Sequence, residues 1–110
     1  MTKQRTYSQY ALEAAVLMGE QIKLGRKQRQ WSEQNLADRA GISRATLQKI
    51  ENGGMGCAVG LVFEVAALVS VELFESDRTP LSKHVEHTRD KIALLPQRIK
   101  TKNKVVHDDF

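Results

Sequence analysis

Ser32 to Gly53, SEQNLADRAGISRATLQKIENG, constrains the fold of this chain more than any other stretch. Two short runs of helical period flank a turn of about four residues, and such a pair can pack only where selected positions are small or apolar. Ala37 is small where the second helix crosses the first, Gly41 permits the sharp turn, and Ile42 plugs it. Leu36, Leu47 and Ile50 then face a common core from both helices. Ser32 caps a helix running to Ala40, ended by Gly41 where a left-handed residue is wanted. Ser43 caps the next, which runs to Glu51 and stops at Asn52-Gly53-Gly54. Neither start completes a capping box, because Asn35 and Thr46 occupy the third helical positions instead of Glu or Gln.

The rest of the chain also reads as helical, with prolines only at positions 80 and 96. Ser8 to Arg29 places Leu12, Ala15, Val16, Gly19 and Ile22 on one stripe. Cys57 to Val69 is apolar on nearly every side, which predicts a helix buried on more than one face. Thr79 is expected to cap a last helix, with Pro80 in its first turn and its end near Leu95-Pro96. The expected organisation is all-α: a five-helix helix-turn-helix domain over 8–95 and a short, flexible C-terminal tail over 96–110, whose Arg98, Lys100, Lys102 and Lys104 precede an acidic end.

With the inner faces occupied, Ser43, Arg44, Ala45, Gln48 and Lys49 are left on the outer front of the later helix. That is the logic of a helix-turn-helix whose second member enters the DNA major groove. Arg and Lys donate to guanine, Gln pairs with adenine, and the Ala45 methyl can touch a thymine methyl. These five are the expected base contacts; Ser32, Gln34, Thr46 and Asn52 are the expected phosphate contacts. A plain helical hairpin would need the apolar positions but has no preference for this polar set.

From about Gly19 to Leu73, through GEQIKLGRKQRQWSEQNLADRAGISRATLQKIENG and VAALVSVELF, the chain resembles the Cro and phage-repressor class of helix-turn-helix proteins, the XRE family. The resemblance implies a five-helix domain with the third helix in the groove, and an ion pair between Arg26 and Glu51 holding helix one against the end of helix three. There are departures. Glu33, followed by Gln34, stands where the family usually has a phosphate-contacting Gln, and Gly-Gly-Met-Gly replaces a basic loop, leaving backbone amides to meet phosphate. Gly25 stands where a larger apolar residue or Ala is favoured, at a cost of about 1 kcal/mol within a helix. Leu61 and Leu68 occupy positions that are often polar, which suggests a second subunit or a second protein. More narrowly, ISRATLQKIENG, the apolar fourth helix and the Asp-Asp-Phe end resemble the HipB-type antitoxins, which implies a homodimer that represses its own operon at an inverted repeat and binds a HipA-type kinase toxin.

Charge agrees with a polyanion partner. Lys and Arg outnumber Asp and Glu nine to five over residues 1–53, fall behind one to four over 54–80, and lead seven to four over 81–110. No apolar run is long enough for a membrane helix, and the basic start leads into an amphipathic stretch, so a cytoplasmic, nucleoid-associated protein is expected. A single cysteine, Cys57, excludes an internal disulfide and a cysteine-built zinc site. It reads as a small core residue. His84 and His87 lack a third ligand at metal spacing and read as a solvated pair, while Trp31 reads as a hydrophobic staple. Leu81, Val85, Thr88, Ile92 and Leu95 recur at heptad spacing, for packing on the domain or for dimer pairing. No catalytic set, metal site or cofactor loop is present in the pattern, so no enzyme and no cofactor are expected. The alternatives are a stand-alone XRE-type regulator and a protein-interaction module without DNA binding. RNA binding is disfavoured, because aromatics are 5% of the chain and the front carries no stacking platform.

Overall fold

The computed structural model describes residues 5–74 and 79–98, and among them every regular element is helical. Helix α1 spans Gln9–Gln28, α2 Glu33–Ala40, α3 Arg44–Glu51, α4 Val59–Leu68 and α5 Leu81–Ala93. The chain divides into two compact units, Met1–Glu75 with α1 to α4 and Ser76–Phe110 with α5.

Three helices start on a serine whose hydroxyl accepts from the backbone three residues on. Ser8 takes Ala11 N–H at 3.1 Å, Ser32 takes Asn35 N–H at 3.0 Å and Ser43 takes Thr46 N–H at 3.0 Å. Each satisfies one of the donors that a helix leaves unpaired, an effect of about 1 kcal/mol. Thr79 does not cap α5. Pro80 itself holds the N-cap position, with no side-chain bond, and the helix begins one residue later than expected.

All four helices of the first unit end in the same hydrogen-bonded turn, with one left-handed residue. Gly41 (φ 70) and Gly53 (φ 78) serve α2 and α3, while Gln30 (φ 59) and Ser70 (φ 58) serve α1 and α4. At α3, Gly53 N–H donates to Ile50 C=O at 3.1 Å and Gly54 N–H to Lys49 C=O at 2.7 Å, the paired bonds of a Schellman motif. At α2, Ile42 N–H reaches Ala37 C=O at 3.0 Å and the Ile42 side chain packs on the core, so the residue plugs the turn as its position predicts.

The core of the first unit consists of Ile22, Leu36, Ala37, Leu47, Ile50, Val65, Ala66 and Val69. Trp31 and Cys57 pack against it, in keeping with their expected structural roles. Helix α1 supplies two glycines where neighbouring backbone comes close. A Cβ on Gly19 would lie 2.6 Å from the carbonyl oxygens of Ile50 and Glu51, and one on Gly25 would lie 2.9 Å from Val69 Cβ and Val69 C=O. Gly25 is therefore a packing requirement here, and not simply a helix-weakening residue. The fully buried positions of α1 all lie from Gly19 onward; Met18 packs partly on the core, and Tyr10, Leu12, Val16 and Leu17 stay exposed.

Helix α4 departs from the expectation of burial on more than one side. Val65 and Ala66 are buried and Leu68 packs partly on the core, but Val59, Leu61 and Phe63 are exposed, with Phe63 meeting Phe74 edge to face at 6.5 Å. In the second unit, α5 buries no residue. Leu81, Val85, Ile92 and Leu95 of its heptad stripe are exposed, and the Thr88 hydroxyl donates to the His84 carbonyl at 2.8 Å. Among the described residues no helix is long and apolar enough to cross a membrane, and no cluster of His, Cys, Asp or Glu could hold a metal.

Candidate nucleic-acid interface

Helix α3 is held from behind along its middle and at its C-terminal end. Leu47 is fully buried and Ile50 nearly so, which fixes its rotation. Its last residue, Glu51, is buried against Arg26 of α1: Nε donates to Oε2 at 2.7 Å and Nη2 to Oε1 at 2.9 Å, while Nη1 donates to the Trp31 carbonyl at 3.0 Å. This is the two-pronged pairing that planar guanidinium and carboxylate groups favour, and the Glu51 hydrogen bonds raise the Arg26 pKa further above its ordinary value. The ion pair implied by family resemblance is therefore present, at the distal end of the helix and away from its front.

The rotation so fixed leaves Ser43, Arg44, Ala45 and Lys49 exposed and Gln48 half-buried. All five expected base-contact residues thus share the region in front of α3. Their hydrogen-bonding freedom differs. Ser43 Oγ caps the helix and also donates to Thr46 Oγ1 at 2.9 Å. Lys49 carries no ion pair among the described residues. Arg44 and Gln48 both converge on Glu33, the first residue of α2: Arg44 Nε and Nη2 lie 3.1 and 3.0 Å from Oε1, and Gln48 Nε2 lies 3.1 Å from the same oxygen. Those bonds, from Gln48 first and Arg44 second, hold the Glu33 carboxyl below its ordinary pKa.

The expected phosphate contacts lie around this front with separate duties. Ser32 caps α2, half-buried Thr46 bonds Ser43, and Asn52 is the exposed C-cap of α3. Gln34 Nε2 is engaged with Asp38 Oδ1 at 2.8 Å. Of the Gly-Gly-Met-Gly amides expected to meet phosphate in place of a basic loop, those of Gly53 and Gly54 donate to carbonyls of α3. That closure of the helix takes the two donors out of the surface.

Two structural residues give no sign of their role in the sequence. Arg29 donates from Nη1 to Val69 C=O at 3.0 Å and from Nη2 to Ser70 Oγ at 2.8 Å, tying the ends of α1 and α4 together. Nothing in the local pattern marks a bond to a residue so far along the chain. Arg39 stacks its guanidinium 4.0 Å from the centroid of the Trp31 ring. The Glu33 bonds are partly legible, since the turn brings the starts of α2 and α3 together.

A helix-turn-helix family profile matches residues 22–71, the segment from the middle of α1 to just past α4. No curated protein sequence matches the chain. Among solved structures, a chain described as an MDT protein and one from a HipA-HipB-O2-O3 complex each have 23% identity and a TM-score of 0.50, covering 70% of this chain and 100% of their own. A HipB variant in complex with an O2 20mer matches at the same identity and TM-score over 71% of this chain and 100% of its own. At that identity the likeness is one of fold.

Proposed function

Because residues 22–71 are a helix-turn-helix domain, we propose that the chain is a sequence-specific DNA-binding transcriptional repressor, the antitoxin of a HipA-type operon. The observation that carries the DNA-binding part is the front of α3, where Arg44, Gln48 and Lys49 sit on a helix whose rotation is fixed by Leu47 and Ile50 and whose far end is tied by Glu51. Arginine and lysine there donate to guanine, glutamine reads adenine, and Ala45 offers a methyl to thymine. Ser32, Thr46 and Asn52 border that front and take phosphate-binding roles, joined by Gln34 once its amide leaves Asp38.

Support for the antitoxin part comes from fold likeness to a chain of a HipA-HipB-O2-O3 complex and to one of a HipB complex with an O2 20mer. In this reading the protein works as a homodimer on an inverted repeat, with Leu61 and Leu68 at a subunit or toxin surface, and does no chemistry of its own.

The test is footprinting and binding on the DNA upstream of its own gene. Arg44→Ala and Lys49→Ala should each weaken operator binding by about 1 to 3 kcal/mol if the side chain reads a base pairwise. Footprints and affinities unchanged in both variants would remove the DNA-binding reading. For the antitoxin part, a kinase-like product of the adjacent gene should form a complex with this chain in calorimetry. Absence of heat at micromolar concentrations leaves a stand-alone regulator.

A further inference from the structure

Glu33 lies behind the two front side chains with the richest hydrogen-bonding pattern, and as a carboxylate it can only accept. Its Oε1 accepts from Arg44 Nε and from Gln48 Nε2, each at 3.1 Å, with Arg44 Nη2 in ion-pair contact at 3.0 Å. An arginine has a side-on donor pair, Nε with Nη2, and an end-on pair, Nη1 with Nη2. Glu33 Oε1 engages the side-on edge, Nε by a hydrogen bond and Nη2 at ion-pair distance, which leaves Nη1 and the second Nη2 hydrogen with no partner among the described residues. A glutamine amide can present its oxygen and nitrogen in either order. Opposite a carboxylate only the nitrogen is tolerated, so the outward edge of Gln48 has a fixed donor and acceptor order.

We propose that Glu33 is a positioning residue that sets the base specificity of this interface, by fixing Arg44 and Gln48 as one read-out unit. The inference rests on the DNA-binding reading above and adds the source of its selectivity. An untethered arginine at a helix start can swing to a phosphate as readily as to a base, gaining affinity without sequence information. Tethered to Glu33, it meets the groove in one direction. The carboxylate also repels phosphate oxygens, so a misplaced register that brings backbone to this edge is penalised.

The experiment is selection from a random-sequence duplex library, read by sequencing, with wild-type protein, Glu33→Gln, Arg44→Ala, Gln48→Ala and the double variant Glu33→Gln with Arg44→Ala. Glu33 is the first residue of α2 and outside the core, so Glu33→Gln should keep the fold, checked by its thermal unfolding. Gln at this position can still accept from Arg44, but it can also turn its NH2 group to Gln48 and no longer dictates the amide order. The expected result is a loss of preference in Glu33→Gln on the order of tenfold, confined to the base pairs that Arg44→Ala and Gln48→Ala also affect, with no further loss in the double variant at those that Arg44→Ala affects. Total affinity for random duplex should hold or rise. A sequence preference in Glu33→Gln identical to wild type, or altered at unrelated base pairs, overturns the proposal.

A second readout separates this outcome from failure of the DNA-binding reading. In NMR of the free protein, the Arg44 Nε–H should be a distinct, protected resonance that collapses toward the free-arginine position in Glu33→Gln. If wild-type protein enriches no sequence, the DNA-binding reading falls and the specificity role falls with it; an Arg44 signal that still responds to Glu33→Gln then identifies the bond as structural only. If that signal is already free-arginine-like in the wild type, the tether itself is absent and the proposal fails whatever the library shows.

Discussion

Arg26 and Glu51 carry opposite charges into a site where their side chains are only 8% and 1% exposed. Desolvating two ions costs several kcal/mol each, and the pairing offsets that only because both prongs are occupied and the remaining guanidinium nitrogen finds the Trp31 carbonyl. Removing one partner strands the other. Arg26→Ala should therefore lower stability by about 3 to 5 kcal/mol in urea unfolding, whereas Arg26→Met combined with Glu51→Leu should recover most of that deficit. Equal destabilisation by the single and double variants would show that packing, and not the stranded charge, sets the cost. At this scale the sequence is informative where helical period sets a residue's neighbours: the spacing of Leu36, Leu47 and Ile50 turns them inward, and all three are buried. The Arg26 pair follows from family resemblance. The bonds of Arg29 to Val69 and Ser70 cannot be read at all, because a long side chain's partner across a fold leaves no periodic trace.

Helix ends show why some boundaries are legible and others are not. Gly41 and Gly53 announce the turns after α2 and α3, since glycine reaches positive φ without a Cβ clash. The turns after α1 and α4 use Gln30 and Ser70 in the same backbone region, where no residue type gives them away. Gln30→Gly should relieve about 1 kcal/mol of left-handed strain and raise the unfolding midpoint, less the added entropy of the unfolded glycine. Gly25→Ala tests the opposite case. Helix propensity alone favours it by about 1 kcal/mol, but its Cβ would meet Val69 Cβ and backbone at 2.9 Å. Overpacking of that kind costs about 1 to 3 kcal/mol, so net destabilisation is expected in thermal unfolding, and a gain in stability would show that α4 yields easily. The sequence of α4 misleads because an all-apolar run says how much surface wants cover and not which side receives it. Val65 and Ala66 receive it here, while Val59, Leu61 and Phe63 do not.

For the whole molecule, the proposed dimer turns on that exposed apolar surface. Leu61 is 37% exposed, whereas Leu68 packs on the core, so only the first can be changed without disturbing the fold. Leu61→Glu should leave the helical circular dichroism intact and shift sedimentation toward monomer, with operator binding weakened because two half-sites are no longer engaged together. A wild-type protein that sediments as a monomer at micromolar concentration would end the dimer reading. The basic and acidic tail expected beyond residue 96 lies, from 99 onward, outside the described residues. Deleting residues 97–110 should spare folding and, if its lysines meet phosphate, flatten the salt dependence of DNA binding by a slope of about 0.9 for each phosphate no longer neutralised. Helix α1 joins the buried and the exposed parts of the first unit. It is one unbroken rod of 20 residues whose fully buried positions all lie from Gly19 onward. Amide hydrogens from Gly19 onward should exchange only when the whole unit opens, while those before it exchange through local fraying orders of magnitude sooner, so deuterium uptake will divide this single rod at a point that no break in its backbone marks.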